Sequence, residues 1–311
     1  MRKTILSTAD VARLFNITET TVKRWADEGV LRCQKTPGGH RKFEMRHVIE
    51  FSISQNFEPV GALELEENDA DARQIQMAVL NRDFEALARA FVRKSLSPDP
   101  NLYSLLSYLY EHHVQLWEMY DLVLSPGLRE IGEQWARGEI GVSKEHRASY
   151  ETLDALAKLQ AEILLRPPVN YSVVCACPDE EMHEIGLRCA AGIFASEGWT
   201  VRYLGARTPY DDIIATIDEV HPTTVCLSST FPADVDTLKE HLRSVYTRAR
   251  SLGSTVILRA GEAVLENSRG TISDLMLHST KEVLEYIQDT RAKATKNGLD
   301  RLSENPVEGI R

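Results

Sequence analysis

At 311 residues, 43% of them hydrophobic and 26% charged, the chain has enough material for two or three domains with their own cores. It has no apolar run of the ~18 residues that a membrane span needs, no apolar signal core at its start, and only five thinly spread cysteines. A membrane protein and a disulfide scaffold are therefore not expected, and a reducing cytoplasm is. The net charge of −10 is uneven: residues 1–50 carry ten Lys/Arg and six Asp/Glu, a balance of +4 that leaves −14 for the rest. A basic first unit on an acidic body points to that unit alone as the one that meets a polyanion.

In chain order, residues 5–51 read as short helices and turns. TADVARLF places Val11, Leu14 and Phe15 at helical spacing, NIT makes a turn, and ETTVKRWADEGV is a second helix ended by Gly29. TPGGHRKF supplies a Pro37-Gly38-Gly39 turn between short extended pieces, and EMRHVIEFSIS closes the unit as a third helix. Residues 56–70 are acidic and aperiodic, as a linker would be. Over 71–167, QIQMAVLNRDFEALARAFVRKSL, LYSLLSYLYEHHVQLWEMY, DLVLSPGLREIGEQWARG and KEHRASYETLDALAKLQAEILL predict four amphipathic helices packed as a bundle.

After RPPVN the period changes. YSVVCACP, TVRYLG, TTVCLSS, TVILRAG and SDLMLH are five short β-rich runs separated by helical patterns. They predict a doubly wound parallel sheet of the flavodoxin-like kind over 168–290, and the polar residues 291–311 read as a frayed tail. The expected fold is thus multidomain, α and α/β, with residues 1–55 as a first helical module. Cys175 and Cys177 fall on one strand face; a metal site with His183 and Cys189 is conceivable, but buried small hydrophobes are the plainer reading.

Three groups of residues carry chemistry. In the second helix Thr20, Thr21, Lys23 and Arg24 offer hydrogen-bonding and cationic side chains to a major groove, while Val22 and Trp25 pack inward. His40, Arg41 and Lys42 follow the glycine turn as a small wing whose cations can reach phosphates. This segment resembles the winged helix-turn-helix of the MerR family. The long dimerising helix usual there is replaced by the acidic linker, so dimerisation is expected from elsewhere.

The second group is EEMHEIGLR, residues 180–188, just beyond the first strand of the sheet domain, where open parallel sheets bind ligands. A carboxylate two residues before a histidine can orient the ring and raise its basicity as a metal ligand. Gly186 lets a bulky ligand approach the backbone. Together with Ser228 in CLSST and Gly261 in LRAGEAV, this loop resembles the cobalamin-binding domain of corrinoid proteins. The resemblance implies His183 as the lower cobalt ligand, Glu181 as its orienting acid, and Ser228 and Gly261 along the slot for the displaced nucleotide tail. This chain departs from the pattern with Glu181 for the usual Asp, Thr230 at the usual Leu, and Ala260 for the first of two glycines.

The third group is WARGEIGVSKEH, residues 135–146. A ten-residue step on one helix would put Trp135 and Glu145 on different faces. Gly138 and Gly141 instead suggest helix, short loop and helix, with Ser143 as the new N-cap. This Trp-x9-Glu-His pattern, in a bundle preceding a corrinoid-type domain, resembles the adenosylcobalamin-dependent photoreceptor regulators of the CarH/LitR type over roughly residues 5–290. The resemblance implies that Trp135, Glu145 and His146 cover the adenosyl side of the cofactor. It further implies a non-enzymatic regulator that binds operator DNA, self-associates to a dimer or tetramer with adenosylcobalamin, and represses. A histidine directly after the tryptophan, present in light-responsive members, is Ala136 here, so an altered light response is expected. His112 and His113 read as a mid-helix surface pair, one of which could be a second ligand. The alternatives are a corrinoid enzyme component, such as a methyl carrier or mutase subunit, and a regulator sensing another tetrapyrrole or a redox state. The basic first module and the lack of length for a catalytic barrel speak against the enzyme.

Overall fold

The computed structural model describes residues 5–15, 17–36, 38–44, 47–48, 51, 70–163, 165–179, 181–230, 235–260 and 270–296. The first unit contains β1 (Ile5–Ser7), α1 (Thr8–Leu14), α2 (Glu19–Asp27), β2 (Gln34–Lys35) and β3 (Arg41–Glu44), with the strands in the antiparallel order β1-β3-β2. Ser7 and Asp10 cap α1 reciprocally: Ser7 N donates to the Asp10 carboxylate at 2.9 Å and Asp10 N to Ser7 Oγ at 3.2 Å. Val11, Phe15, Val22, Leu31 and Phe43 form its core. Trp25 packs on Phe15 and Phe51 at ring separations of 6.1 and 4.6 Å, inward as its helical position predicts. The strand β1 is an addition to the expected helices and turns. The expected third helix lies largely outside the described residues, as do residues 56–69 of the linker.

The helical region is more broken than four continuous helices. It runs α3 (Ala70–Asn81), α4 (Phe84–Leu96), α5 (Leu102–Glu111), α6 (Leu116–Glu118), a π-helical turn at Met119–Leu124, α7 (Ser125–Ala136) and α8 (Val142–Glu162). The first expected helix divides because Arg82 is left-handed (φ 52°) and Asp83 caps α4, accepting from Ala86 N at 2.9 Å. The second ends at the histidines: His112 caps α5 and His113 is left-handed (φ 65°). These two residues are therefore not mid-helix, and His112 Nδ1 lies 2.8 Å from the Tyr108 carbonyl.

The sheet domain contains β4 (Ser172–Pro178), α9 (Ile185–Ser196), β5 (Thr200–Thr208), α10 (Tyr210–Val220), β6 (Thr224–Ser229), α11 (Val235–Ser251), β7 (Thr255–Ala260), β8 (Leu275–Met276) and α12 (Thr280–Lys296). Its strands are parallel in the order β5-β4-β6-β7-β8, the flavodoxin-like arrangement expected from the sequence. Strand order reverses between β4 and β6, where such sheets bind ligands at the strand carboxyl ends. Helix α12 continues to Lys296, beyond the boundary expected at 290, and within it Arg291 Nη1 donates to Glu197 at 2.8 Å.

Alternation along each strand splits the sheet's two faces. Ala176, Val225, Leu227 and Leu258 pack with Ile213 and Leu242 of α10 and α11. Cys175, Cys177, Cys226 and Ile257 pack with Leu187, Phe194 and Ile287 of α9 and α12, in a core continuous with Tyr120, Leu156 and Leu159 of the bundle. The cysteines are thus small hydrophobes of the core, and no group of three metal-ligating side chains occurs among the described residues.

Two devices hold bundle to sheet. A Cβ on Gly192 of α9 would lie 2.4 Å from Gln160 Nε2 and 3.1 Å from Tyr120 Oη, so a larger residue there would push aside the Gln160 side chain that bonds the Arg188 carbonyl. Asp121, in the π turn, accepts from Thr280 N, Thr280 Oγ1 and Lys281 N, each at 2.9 Å. A carboxylate from 159 residues away thereby satisfies two of the open N–H groups of α12 and complements its dipole.

Candidate functional site

The loop after β4 is built around a buried carboxylate. The Glu181 side chain is 4% exposed while that of His183 is 63% exposed. One Glu181 oxygen lies 2.6 Å from His183 Nδ1 and accepts from His183 N at 2.8 Å; the other accepts from Thr230 N. The Glu181 carbonyl accepts from Arg207 N at 3.1 Å. With Nδ1–H donated to the carboxylate, the neutral ring carries its lone pair on Nε2, the tautomer suited to a metal.

The departures at Glu181 and Thr230 become intelligible together. The Thr230 contact is made by a backbone amide, available whatever the side chain, and Glu181 spans from the His183 loop to the end of β6. Burial pushes the Cys177 thiol up, and the Glu181 charge pushes it in the same direction.

Around this pair, Gly186 sits in the first turn of α9, and Ser228 is buried near the end of β6. Gly261 lies outside the described residues. Met182, beside the histidine, exposes 67% of its surface. Sequence reasoning named Thr230 but not the part its backbone N plays in holding Glu181, and it passed over Arg259, whose guanidinium lies near Gly186. Arg259, a cation inside the apolar run TVILRA, was the visible signal.

The Trp135, Glu145 and His146 group occupies one end of the α7–α8 hairpin. A Schellman closure ends α7, with Gly138 left-handed (φ 74°), Gly138 N donating to the Trp135 carbonyl and Glu139 N to that of Gln134, both at 2.9 Å. Helix α8 is capped by Gly141 rather than by the expected Ser143, which lies inside its first turn. Trp135 is 50% exposed and the His146 side chain 75%. Glu145 accepts from Ser149 Oγ at 2.9 Å and lies 3.6 Å from His146 Nε2. At the other end of α8, Gln160 Nε2 donates to the Arg188 carbonyl of α9 at 3.0 Å. Glu145 is fifteen residues earlier, about 22 Å along the helix axis. The bundle is thus anchored to the sheet domain at one end of α8 and presents a flat aromatic and an acid–imidazole pair at the other.

In the first unit Thr20, Lys23 and Arg24 are exposed on α2. Lys23 pairs with Glu19 at 3.5 Å, and Thr21 N donates to the capping Thr18 Oγ1 at 3.3 Å. The β2–β3 hairpin closes through Gly39 (φ 76°), leaving His40 and Lys42 exposed. Arg41 is different: its Nη2 donates to both Asp27 oxygens at 2.6 and 2.7 Å, and Lys35 reaches the same carboxylate at 3.2 Å. The Arg41 and Lys35 hydrogen bonds hold the Asp27 carboxyl below the usual carboxylate range. Arg41 therefore ties the wing to the end of α2.

Residues 171–269 match the family model of the B12 binding domain, residues 103–159 match a second B12 binding domain model, and residues 5–52 match a helix-turn-helix domain. The chain is 36% identical over 111 residues to the HTH-type transcriptional repressor CarH of Myxococcus xanthus, and 32% identical over 108 residues to the HTH-type transcriptional repressor CarA of the same organism. These stretches are 35% of this chain in both cases, and 36% and 35% of the relatives, so the chain is matched over about a third of their length. Among solved structures, the monomethylamine corrinoid protein of Methanosarcina barkeri shares its fold. The TM-score is 0.53 at 14% identity, covering 68% of this chain and 99% of that one.

In class, then, the chain joins a helix-turn-helix domain to B12 binding domains. More particularly, about a third of the chain is similar to CarH, and the Glu181–His183 pair lies at the strand end within the B12 binding match.

Proposed function

We propose that the chain is a cobalamin-dependent, DNA-binding transcriptional repressor. The observation that carries this reading is the buried Glu181 carboxylate holding His183 at the sheet's switch point, in a chain that begins with a winged helix-turn-helix. The residues fit a corrinoid: an oriented imidazole, exposed apolar surface at Met182 and Trp135, and a bundle end bearing an acceptor and an imidazole. His183 would ligate cobalt through Nε2, with Glu181 fixing the ring. Gly186 and Ser228 would line the tail slot, with Thr230 holding Glu181 in place, and the resemblance would add Gly261 to them. Trp135, Glu145 and His146 would face the upper side of adenosylcobalamin. When bound, the cofactor supplies a cobalt centre with an exchangeable upper ligand.

Thr20, Thr21, Lys23, Arg24, His40 and Lys42 are the candidates for operator contact, and Arg41 sets the wing's position. No helix of the described residues is long and apolar enough to cross a membrane. Clamping the bundle end against the His183 loop would order a surface through which the chain self-associates to a dimer or tetramer. Several weak reading heads on one operator then gain affinity without new base contacts. Ala136, with no coordinating atom, follows Trp135, so the upper cobalt position gains no protein ligand from this residue after illumination.

The test combines two readouts on the full chain, with adenosylcobalamin added in the dark. Light scattering should show a larger species, and operator binding should tighten with it. Unchanged mass and unchanged DNA affinity on saturation with the cofactor would contradict the regulatory reading.

A further inference from the structure

Arg259 stands at the carboxyl end of β7, inside an otherwise apolar strand. Alternation puts it on the face of Ile257, toward α9 and α12, and its cross-strand neighbour is the buried Ser228. The guanidinium reaches the first turn of α9, where a Cβ on Gly186 would lie 3.9 Å from Nη2. Burial pushes the Cys189 thiol of α9 up to about 12, and the Arg259 charge pulls against that shift, so the charge sits beneath this helix. Among the described residues, its Nη1 is buried without a hydrogen-bond partner. A permanently charged group with a buried, unanswered donor is costly, and an anion that accepts from it removes the cost.

We propose that Arg259 binds the phosphodiester of a cobalamin's nucleotide tail, an inference that rests on the corrinoid reading and adds to it an anion subsite on β7. If His183 is the lower ligand, the cofactor's own base is displaced on that same side of the ring. Its tail then runs toward the strand ends that carry Ser228 and Arg259. The phosphodiester is the tail's anionic group, and guanidinium donors match its oxygens with paired N–H groups. No covalent step is involved. Arg259 acts on affinity and on discrimination between corrinoids with and without the tail.

The test measures dissociation constants of the full chain for cobalamin, for cobinamide, which lacks the phosphodiester and base, and for a cobamide whose base is a phenol. Arg259→Met removes the donors at similar length, and Arg259→Lys keeps one charge. We expect R259M to weaken cobalamin binding at least tenfold, with R259K between it and the wild type, and cobinamide binding unchanged in both. The phenolic cobamide, which retains the phosphodiester, should lose as much as cobalamin does. Equal losses for cobinamide would make Arg259 a packing residue and overturn the inference. A loss confined to the benzimidazole form would assign the contact to the base and also overturn it. Wild-type binding of cobalamin with no effect of R259M would overturn this inference alone, whereas a wild-type chain that binds no corrinoid would overturn the corrinoid reading with it. Should R259M not fold, as judged by circular dichroism, the R259K ratio between cobalamin and cobinamide decides.

Discussion

The two halves of the candidate site are built in opposite ways. The Glu181–His183 loop is held from within the fold: a buried carboxylate receives two backbone N–H groups and lies against the ring Nδ1, which restrains the ring's orientation. The Trp135–Glu145–His146 end of the bundle is exposed, and Glu145 has a serine hydroxyl and the neighbouring imidazole beside it. The lesson is a division of labour. On the proposed reading, a preorganised lower half would supply affinity, because its ordering cost is met in folding, and an open upper half would supply discrimination between upper ligands and the signal that follows.

If that contrast is right, the largest effects come from the lower half. His183→Ala should reduce cobalamin affinity most and change the bound spectrum. Glu181→Gln, which keeps shape but weakens the orienting acceptor, should cost about 10- to 100-fold in affinity, measured by absorbance titration. Trp135→Ala should cost less and selectively, lowering the preference for adenosylcobalamin over hydroxocobalamin while leaving hydroxocobalamin affinity near wild type. Equal losses for both ligands would erase the distinction between the halves.

A smaller effect probes the joint between the units. Asp121→Ala removes a cap from α12 and should destabilise the chain by about 1 kcal/mol in urea unfolding. The smallest effects lie in the first unit. Lys42→Gln should weaken binding to all DNA sequences alike and lower the salt slope by about 1. Arg41→Gln and Asp27→Asn should instead act non-additively, because each breaks the same wing contact. The folded carboxyl of Asp27 is held below its ordinary 3.8. That contact is therefore fully present above the unfolded value and is lost as pH falls through the lower, folded one. Wing order followed by histidine and arginine NMR signals between pH 7 and 3 checks this.

How much was legible in the sequence follows the same contrast. The five parallel strands were visible because buried strands such as SVVCACP and TVCLSS read as continuous apolar runs, and the β4 loop was visible because Glu181, His183 and Gly186 are close in sequence. What pairs across sequence was hidden. The strand Ile5–Ser7 exists through pairing with β3 and is too short to show a period. The Arg41–Asp27 contact spans fourteen residues, and that of Asp121 with Thr280 spans 159. Thr230 takes part through its amide, which no side chain advertises. The break at Arg82–Asp83 was readable in principle, since Asp is a favoured N-cap, but the apolar periodicity on both sides overrode it.

The central claim, that His183 is the cobalt's lower ligand, is open to one direct measurement. Paramagnetic resonance of the cob(II)alamin complex can be compared between unlabelled protein and protein grown with ¹⁵N-histidine. A protein imidazole on cobalt splits each cobalt line into three, and the label turns three into two. We expect that change in the wild type and its loss in His183→Ala. A three-line pattern indifferent to the label would mean that the cofactor keeps its own base, and would contradict the role given to the Glu181–His183 pair.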